Sequence, residues 1–294
     1  MTVRRSLPGD RRERRTAFPT MNIAMSASSS RSKTVARVLE PPASLSLLAS
    51  FSEQLSSLYK LVQGSNHVFG SPVGPFFVEG RSFHLPRFVY FGRNASDAAL
   101  KLSFLGGFDH RDLRSTLALL RLVEGLTLKP DLGEGMSLSF FPLVDVVGLT
   151  QASPDRNLAA HSWAKPTAPE IELLERDARQ RAYHGFVRLE SAPGEDSVVV
   201  RLRAPIPSEN FAPALELVSS VDVDPLPVRW ETDETPHTEH GPLAIADDLP
   251  LHPFELTVRI PSAWPLDLYA EAAASILKRF VLRYRGFISY AQHL

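Results

Sequence analysis

Cysteine is absent from the 294-residue chain, which excludes disulfide bonds, thiol catalysis and cysteine-ligated zinc or iron–sulfur centres. No apolar run reaches the roughly 18–20 residues that a membrane helix requires. The charges balance, with 32 basic and 33 acidic residues, so the overall charge does not point to nucleic acid or to an anionic membrane. We therefore expect neither a nucleic-acid partner nor a membrane partner. A cysteine-free chain fits a reducing compartment, and we expect a cytoplasmic protein.

The start of the chain has few apolar residues. Residues 1–20 hold six arginines, and a serine-rich stretch follows them. Such a segment cannot bury enough surface to offset its ordering entropy, so we predict a disordered tail over residues 1–40 and a single α/β domain over 41–294. The run MNIAM is too short to be the apolar core of a secretory signal. We favour a solvated tail, or an upstream start with Met21 or Met25 as the true first residue, over an organelle transit peptide.

The remainder of the chain alternates between strand-like and helix-like segments. Apolar residues at helical spacing predict helices at 45–62, 112–126, 170–182 and 266–284. Short apolar runs predict strands at 76–78, 87–91, 100–105, 136–147, 186–189, 198–202 and 254–260. This alternation predicts an α/β fold with a mostly parallel or mixed central sheet and helices on both faces. Ligands of such sheets bind beyond the carboxyl ends of the strands.

Five segments at predicted strand ends carry motifs. They read LGGFDHRD at 105–112, FPLVDVVGL at 141–149, NLAAHSW at 157–163, GFVRLES at 185–191 and FELTVRIP at 254–261. The first is followed by a predicted helix, as in half of a βαβ unit. The third precedes a Pro-Glu-Ile helix start at 169–171.

In their order and spacing these segments resemble the zinc carboxypeptidase superfamily, both its carboxypeptidase A-like and its succinylglutamate desuccinylase/aspartoacylase-like branches. The resemblance runs from about residue 50 to the C-terminus. In that family the corresponding segments carry a His-x-x-Glu zinc-binding turn, an Asn-Pro strand, an Asp-Leu-Asn-Arg motif, a third zinc ligand and a catalytic glutamate. The resemblance implies a carboxypeptidase-like α/β domain with a cleft at these strand ends.

The chain departs from the family pattern at each position that carries chemistry. At the zinc ligands, the resemblance places Asp109 and Asp112 at the His-x-x-Glu positions and Glu190 at the third ligand. Asp145 stands at the asparagine of the Asn-Pro strand, and Arg259 stands at the catalytic glutamate. Ala159 and Ala160 stand at the Asn-Arg pair that in the family grips the substrate carboxylate. A register shifted by one would make His110 the ligand instead.

These substitutions remove the groups on which zinc hydrolysis depends. A catalytic zinc needs three strong ligands and an open position, and sites built from oxygen alone favour Mg, Ca or Mn. Arginine cannot act as a general base, and alanine cannot hold a carboxylate. We therefore predict an inactive pseudo-peptidase without a cofactor, which keeps the fold as a binding or regulatory module and whose cleft binds a peptide, small-molecule or protein ligand. The alternative is an active metal-dependent carboxypeptidase or amide hydrolase with altered ligands, which would hold zinc or another divalent cation.

Two accounts of the acidic residues stay open. Asp109, Asp112 and Glu190 either converge on a hard divalent cation or are neutralised by Arg259 and Arg111. We favour neutralisation, because Arg259 falls on the strand predicted to neighbour this cluster.

Simpler interpretations stand beside both accounts. Asp109 and Asp112 would serve a helix start by accepting from free N–H groups, and Glu190 would face solvent. The sequence His-Thr-Glu-His at 237–240 resembles a metal-binding cluster, but its polar surroundings favour a solvated loop.

Overall fold

The computed structural model describes residues 43–96, 99–151, 156, 158, 168–203, 228–232 and 253–291. The predicted tail over 1–40 and the His-Thr-Glu-His sequence at 237–240 lie outside these ranges. The division of the chain at residue 41 therefore stays a prediction. No helix within the described ranges is both long enough and apolar enough to cross a membrane.

Five α-helices are present in the described residues: α1 Ala43–Gln63, α2 Arg114–Leu128, α3 Val146–Gln151, α4 Pro169–Arg181 and α5 Leu266–Ala291. A 3₁₀ helix, Pro130–Gly133, follows α2. All but α3 match helices that the apolar spacing predicts. The sequence of α4 explains its ends, because Pro169 occupies the first turn and Ala182 adopts the left-handed conformation that terminates a helix.

Within the described ranges, ten strands form two sheets. The strands are β1 Val68–Gly70, β2 Val73–Val78, β3 Arg81–Leu85, β4 Phe88–Phe91, β5 Leu100–Leu105, β6 Met136–Phe141, β7 Gly185–Ala192, β8 Val198–Arg203, β9 Val228–Thr232 and β10 Phe254–Pro261. Eight of them build the central sheet in the order β1-β4-β6-β5-β7-β10-β8-β9, while β2 and β3 form a separate hairpin. The four central strands, β6, β5, β7 and β10, are mutually parallel. The predicted α/β class with a mixed sheet is confirmed.

The structure corrects the predicted strands in two places. The strand expected over 136–147 ends at Phe141, because Pro142 cannot donate to a sheet, and the chain turns into α3. The short strands β1, β3 and β9 were not predicted. β3 pairs with β2 across a turn at Glu79 and Gly80, both of which have positive φ angles.

The two faces of the central sheet differ in chemistry. Side chains of paired residues on neighbouring strands lie on the same face, so the register shows on which face of the sheet each paired residue lies. One face is apolar and packs against α5, with the Phe254 ring 5.8 Å from Phe280 and 5.1 Å from Tyr284. The opposite face carries polar and charged side chains: Ser103, Ser139, Arg188, Glu190, Glu255, Thr257 and Arg259. This polar face leads to the carboxyl ends of the parallel strands.

Candidate functional site

A cleft with a volume of about 620 Å³ opens at the carboxyl ends of β5 and β7. Among the described residues, three acidic side chains line it: Asp109, Asp112 and Glu190. Three described arginines line it as well: Arg111, Arg114 and Arg188. The three acidic residues at which the resemblance places the metal ligands therefore all line this cleft.

The turn after β5 depends on a glycine. Gly107 has a φ angle of +65°, and an added Cβ would lie 2.6 Å from Thr116 Oγ1 and 2.7 Å from the Pro142 carbonyl oxygen. The Gly107 carbonyl accepts a hydrogen bond of 2.8 Å from the backbone N–H of Asp145. These contacts bind the turn after β5 to the turn after β6 and direct the segment that carries Asp109 and Asp112 to the cleft.

Asp109 and Asp112 each accept from an arginine two residues further along the chain. Arg111 donates to Asp109 from Nε at 2.8 Å, from Nη2 at 2.7 Å and from its backbone N–H at 3.0 Å. The Arg111 side chain is the largest cause that lowers the pKa of Asp109. Arg114 donates to Asp112 from Nη1 and from its backbone N–H, both at 3.1 Å. Since Arg114 begins α2, Asp112 also satisfies an N–H group at the helix start, in line with the simpler interpretation.

Glu190 forms an ion pair with Arg188, which lies on the same strand and the same face. The Arg188 side chain is only 1% exposed, and its guanidinium lies 4.4 Å from the centre of the Phe108 ring. Burial lowers the pKa of Arg188, while the carboxylates of Glu190 and Glu255 raise it. An arginine remains protonated at neutral pH in such surroundings, so a permanent positive charge lies beneath the cleft.

Arg259 does not neutralise these acidic residues. It lies on the neighbouring strand, as the sequence predicted, and in register with Glu190, but its ion pair is with Glu195 at 3.5 Å. Arg188 already pairs with Glu190, and Glu195 follows β7 in the turn toward β8. The neutralising arginines of the cleft are therefore local neighbours in sequence, among them Arg111, which the sequence had pointed to.

His110 and Asp145 belong to a separate buried network. Asp145 is fully buried, and its Oδ2 lies 2.7 Å from His110 Nδ1 while its Oδ1 accepts from Arg156 Nε at 2.7 Å. Arg156 Nη2 donates to both carboxylate oxygens of Glu170 at 2.6 Å. Burial raises the pKa of Glu170, and the neighbouring Arg156 opposes that shift. The network joins the turn after β5, the start of α3 and the first turn of α4, and none of its residues lines the cleft.

Sequence reasoning missed the two arginines that organise these clusters. Arg188 alternates with Val187 and Leu189, a pattern typical of a strand with one solvent-facing side, and nothing local signals that it is buried. Arg156 lies between the predicted strand at 136–147 and the predicted helix at 170–182, and only its partners Asp145 and Glu170 reveal its role. Ala159 and Ala160, expected at the position of the family's Asn-Arg pair, lie outside the described residues.

The residues at the expected ligand positions do not fit a catalytic zinc ion. All three are carboxylates already paired with arginines, and a bound cation would have to displace those guanidinium groups and lie near buried Arg188. Within the described ranges, no three histidine, aspartate or glutamate side chains converge as a metal-binding group.

The comparisons with known proteins identify the architecture. No family model and no curated protein sequence matches the chain. A metallo-carboxypeptidase from Burkholderia cenocepacia matches 80% of this chain and 69% of its own, with a TM-score of 0.59 and 15% identity. A candidate metallopeptidase from Shewanella denitrificans OS217 matches 80% of this chain and 89% of its own, with a TM-score of 0.55 and 16% identity.

A third solved structure is a Pseudomonas aeruginosa metallo-carboxypeptidase in complex with (2-guanidinoethylmercapto)succinic acid. It matches 80% of this chain and 69% of its own, with a TM-score of 0.57 and 13% identity. At these identities the likeness concerns the fold. The chain has the fold of the zinc carboxypeptidases.

Proposed function

We propose that this protein uses a zinc-carboxypeptidase-like fold as a ligand-binding module and does not hydrolyse peptide bonds. One observation carries the proposal: each acidic residue at an expected ligand position is paired with an arginine two residues away. These pairs are Asp109 with Arg111, Asp112 with Arg114, and Glu190 with Arg188. Carboxylates held in this way are poor ligands for a metal ion, because the guanidinium groups compete for the same oxygens.

The charges of the cleft indicate the ligand class. Both acidic and basic side chains line the cavity of about 620 Å³, together with Ser115, Ser191 and Ser262. A ligand that bears both a positive and a negative group can pair with this surface, whereas a purely apolar ligand would leave the charges desolvated and unpaired. The Pseudomonas enzyme was solved with a compound that carries a guanidino group and a succinic acid, which suits this description. We infer a small zwitterionic ligand, of which a peptide is one form.

Metal analysis is the first test. The purified, untagged protein is dialysed, incubated with zinc, manganese or calcium in turn, and analysed for bound metal. We expect far less than one ion per chain. The melting temperature should not rise with zinc, whereas a site filled at a hundredfold excess over its Kd would add about 2.7 kcal/mol of stability.

Substitutions then separate a specific site from incidental binding. About one zinc per chain, lost in Asp109→Asn or Glu190→Gln but retained in the surface control Asp131→Asn, would contradict the proposal and support the metal-dependent hydrolase. Asp131 suits the control because it is an exposed aspartate that also pairs with an arginine, Arg93. A screen of peptide hydrolysis with added zinc should show no activity that depends on these residues.

Ligand binding is tested directly by titrating (2-guanidinoethylmercapto)succinic acid against the metal-free protein in a calorimeter. We expect saturable binding that weakens in Arg111→Met and in Asp109→Asn, because each removes one partner of an exposed charged pair. Binding that is the same in both variants and in the wild type would place the compound elsewhere and contradict the cleft as the binding site.

A further inference from the structure

A second pocket lies at the opposite edge of the central sheet from the cleft. Its volume is about 610 Å³, and its floor is a row across three strands: Phe91 on β4, Ser137 on β6 and Lys101 on β5. The register pairs Phe91 with Ser137 and Ser137 with Lys101, so the three side chains lie on one face. Adjacent strands are about 4.8 Å apart, which places Phe91 and Lys101 on either side of Ser137.

The walls of this pocket add further polar groups. The end of α4 and the residue beyond its cap contribute Gln180, Arg181 and Tyr183, and the segment after β4 contributes Ala95 and Ser96. Of the described residues that line the pocket, two are cations, four bear hydroxyl groups and none bears a carboxylate. The composition differs from that of the cleft, where the described acidic and basic residues are equal in number.

The two cations are available to a ligand. Lys101 has no ion pair with any residue in the described part of the chain. Arg181 donates to Asp177 through Nε at 3.1 Å, and Asp177 also accepts from Arg87 and Tyr183. The charge of Asp177 is therefore shared among three donors. Its hydrogen bond with Arg181 uses Nε and holds the arginine side chain in place, so the two terminal nitrogens of Arg181 can donate to a ligand. Arg181 also offsets the partial negative charge at the end of α4.

An aromatic surface borders the cations. Phe91 is 42% exposed, and its ring centre lies 6.1 Å from that of Phe69, which is 45% exposed. The contact with Phe69 limits the movement of the Phe91 ring. A flat ring can stack on such a surface while an attached anion reaches Lys101.

We propose that this pocket binds a small phosphorylated ligand that carries a flat ring. The phosphate is held by Lys101 and Arg181, the serine hydroxyls donate to its oxygens or to neighbouring hydroxyl groups, and the ring packs on Phe91. A phosphate suits the site better than a simple carboxylate, because it has enough acceptor oxygens to meet both cations and Ser137 together.

Three probes separate the contributions: phenyl phosphate, inorganic phosphate and phenol, each titrated calorimetrically at low salt. Phenyl phosphate should bind most tightly, because it alone engages both the cations and the ring. Its affinity should fall with added salt, since part of it comes from charge attraction. The proposal is overturned if phenyl phosphate shows no saturable binding up to about 10 mM. Such a result would mean a binding free energy weaker than about −3 kcal/mol.

Variants locate the site. Lys101→Met, which keeps the length of the side chain, should weaken phenyl phosphate and inorganic phosphate about threefold or more, while Lys129→Met on an exposed loop leaves both unchanged. Phe91→Ala should weaken phenyl phosphate but leave inorganic phosphate unchanged. If Arg111→Met in the cleft weakens binding and Lys101→Met does not, the anion lies in the cleft and the proposal is wrong.

Discussion

Arg188 is the residue on which the electrostatics of the cleft depend. It is almost completely buried, pairs with Glu190 and lies near the buried carboxylate of Glu255. Removing one member of a buried charged group costs about 3–5 kcal/mol when it leaves an opposite charge without compensation. Arg188→Met should therefore lower the free energy of unfolding by about this amount, because both carboxylates lose the guanidinium.

The partner substitution should cost less. Glu190→Gln leaves Glu255 near Arg188, and Glu190 is itself partly exposed, so we expect a loss of about 1 kcal/mol. Urea unfolding of both variants measures the difference, with Arg93→Met as the control for an exposed ion pair. Equal losses for Arg188→Met and Arg93→Met would show that the buried charge has no structural role.

Gly148 permits the contact between His110 and Asp145. A Cβ at this position would clash with the Asp145 carboxylate and the His110 ring, and the Gly148 N–H also donates to Asp145 at 3.0 Å. Gly148→Ala should destabilise the protein by about 2–3 kcal/mol, since a buried hydrogen-bonded network has to move. Gly125→Ala is the matched control: it lies within α2, where an added Cβ meets nothing within 4 Å, and should stabilise by about 0.5–1 kcal/mol. Thermal unfolding of the pair tests both signs.

At the scale of elements, the Arg156 network fastens α4 to the strand ends, and this predicts a dependence on pH. The pKa of Glu170 is raised in the folded state, chiefly by burial. A carboxyl group with a raised pKa binds its proton more tightly when folded, so its contribution to stability is complete below the unfolded pKa and is lost as pH rises through the folded pKa. The wild-type protein should therefore lose stability as pH rises above about 4.5, and Glu170→Gln should not show this loss.

The measurement is the melting temperature of Glu170→Gln relative to the wild type between about pH 2.5 and pH 8, a range that covers the titration of both carboxyl groups. We expect the difference to move in favour of the variant as pH rises. Asp109→Asn is the contrasting control: the pKa of Asp109 is lowered by Arg111, so its contribution is present above the unfolded pKa and lost as pH falls. If the two variants show parallel pH profiles, the raised pKa of Glu170 is not the cause of the change in stability with pH.

The elements themselves show what a sequence can predict. Long amphipathic helices and buried strands, such as α2 and β5, follow from periodicity because their apolar residues must meet a core. β1, β3 and β9 have no such pattern, since they lie at an edge or in a hairpin, where partners decide the pairing. Dependence on partners also explains why the sequence pointed to Arg111 and not to Arg156. The partner of Arg111 is two residues away, whereas the carboxylate partners of Arg156 are 11 and 14 residues away.

For the whole molecule, the arrangement of the cleft predicts how a metal site could be rebuilt. The resemblance places histidines or a glutamate where Asp109, Asp112 and Glu190 stand, yet the guanidinium of Arg188 lies beside the last of these positions. The triple variant Asp109→His, Asp112→Glu and Glu190→His should bind zinc only weakly, because the positive charge of Arg188 remains and is no longer offset by Glu190. Adding Arg188→Leu should raise zinc binding toward about one ion per chain.

Metal analysis and circular dichroism of both variants test this expectation. The second measurement is needed because the triple variant retains a buried arginine that lacks Glu190, so a loss of folding must be separated from a loss of binding. A folded triple variant that already binds one zinc tightly would show that Arg188 does not oppose a cation in the cleft. If the folded quadruple variant binds zinc and the triple variant does not, Arg188 keeps the cleft free of metal. The exchange of the ligands would then not be sufficient to restore a zinc site.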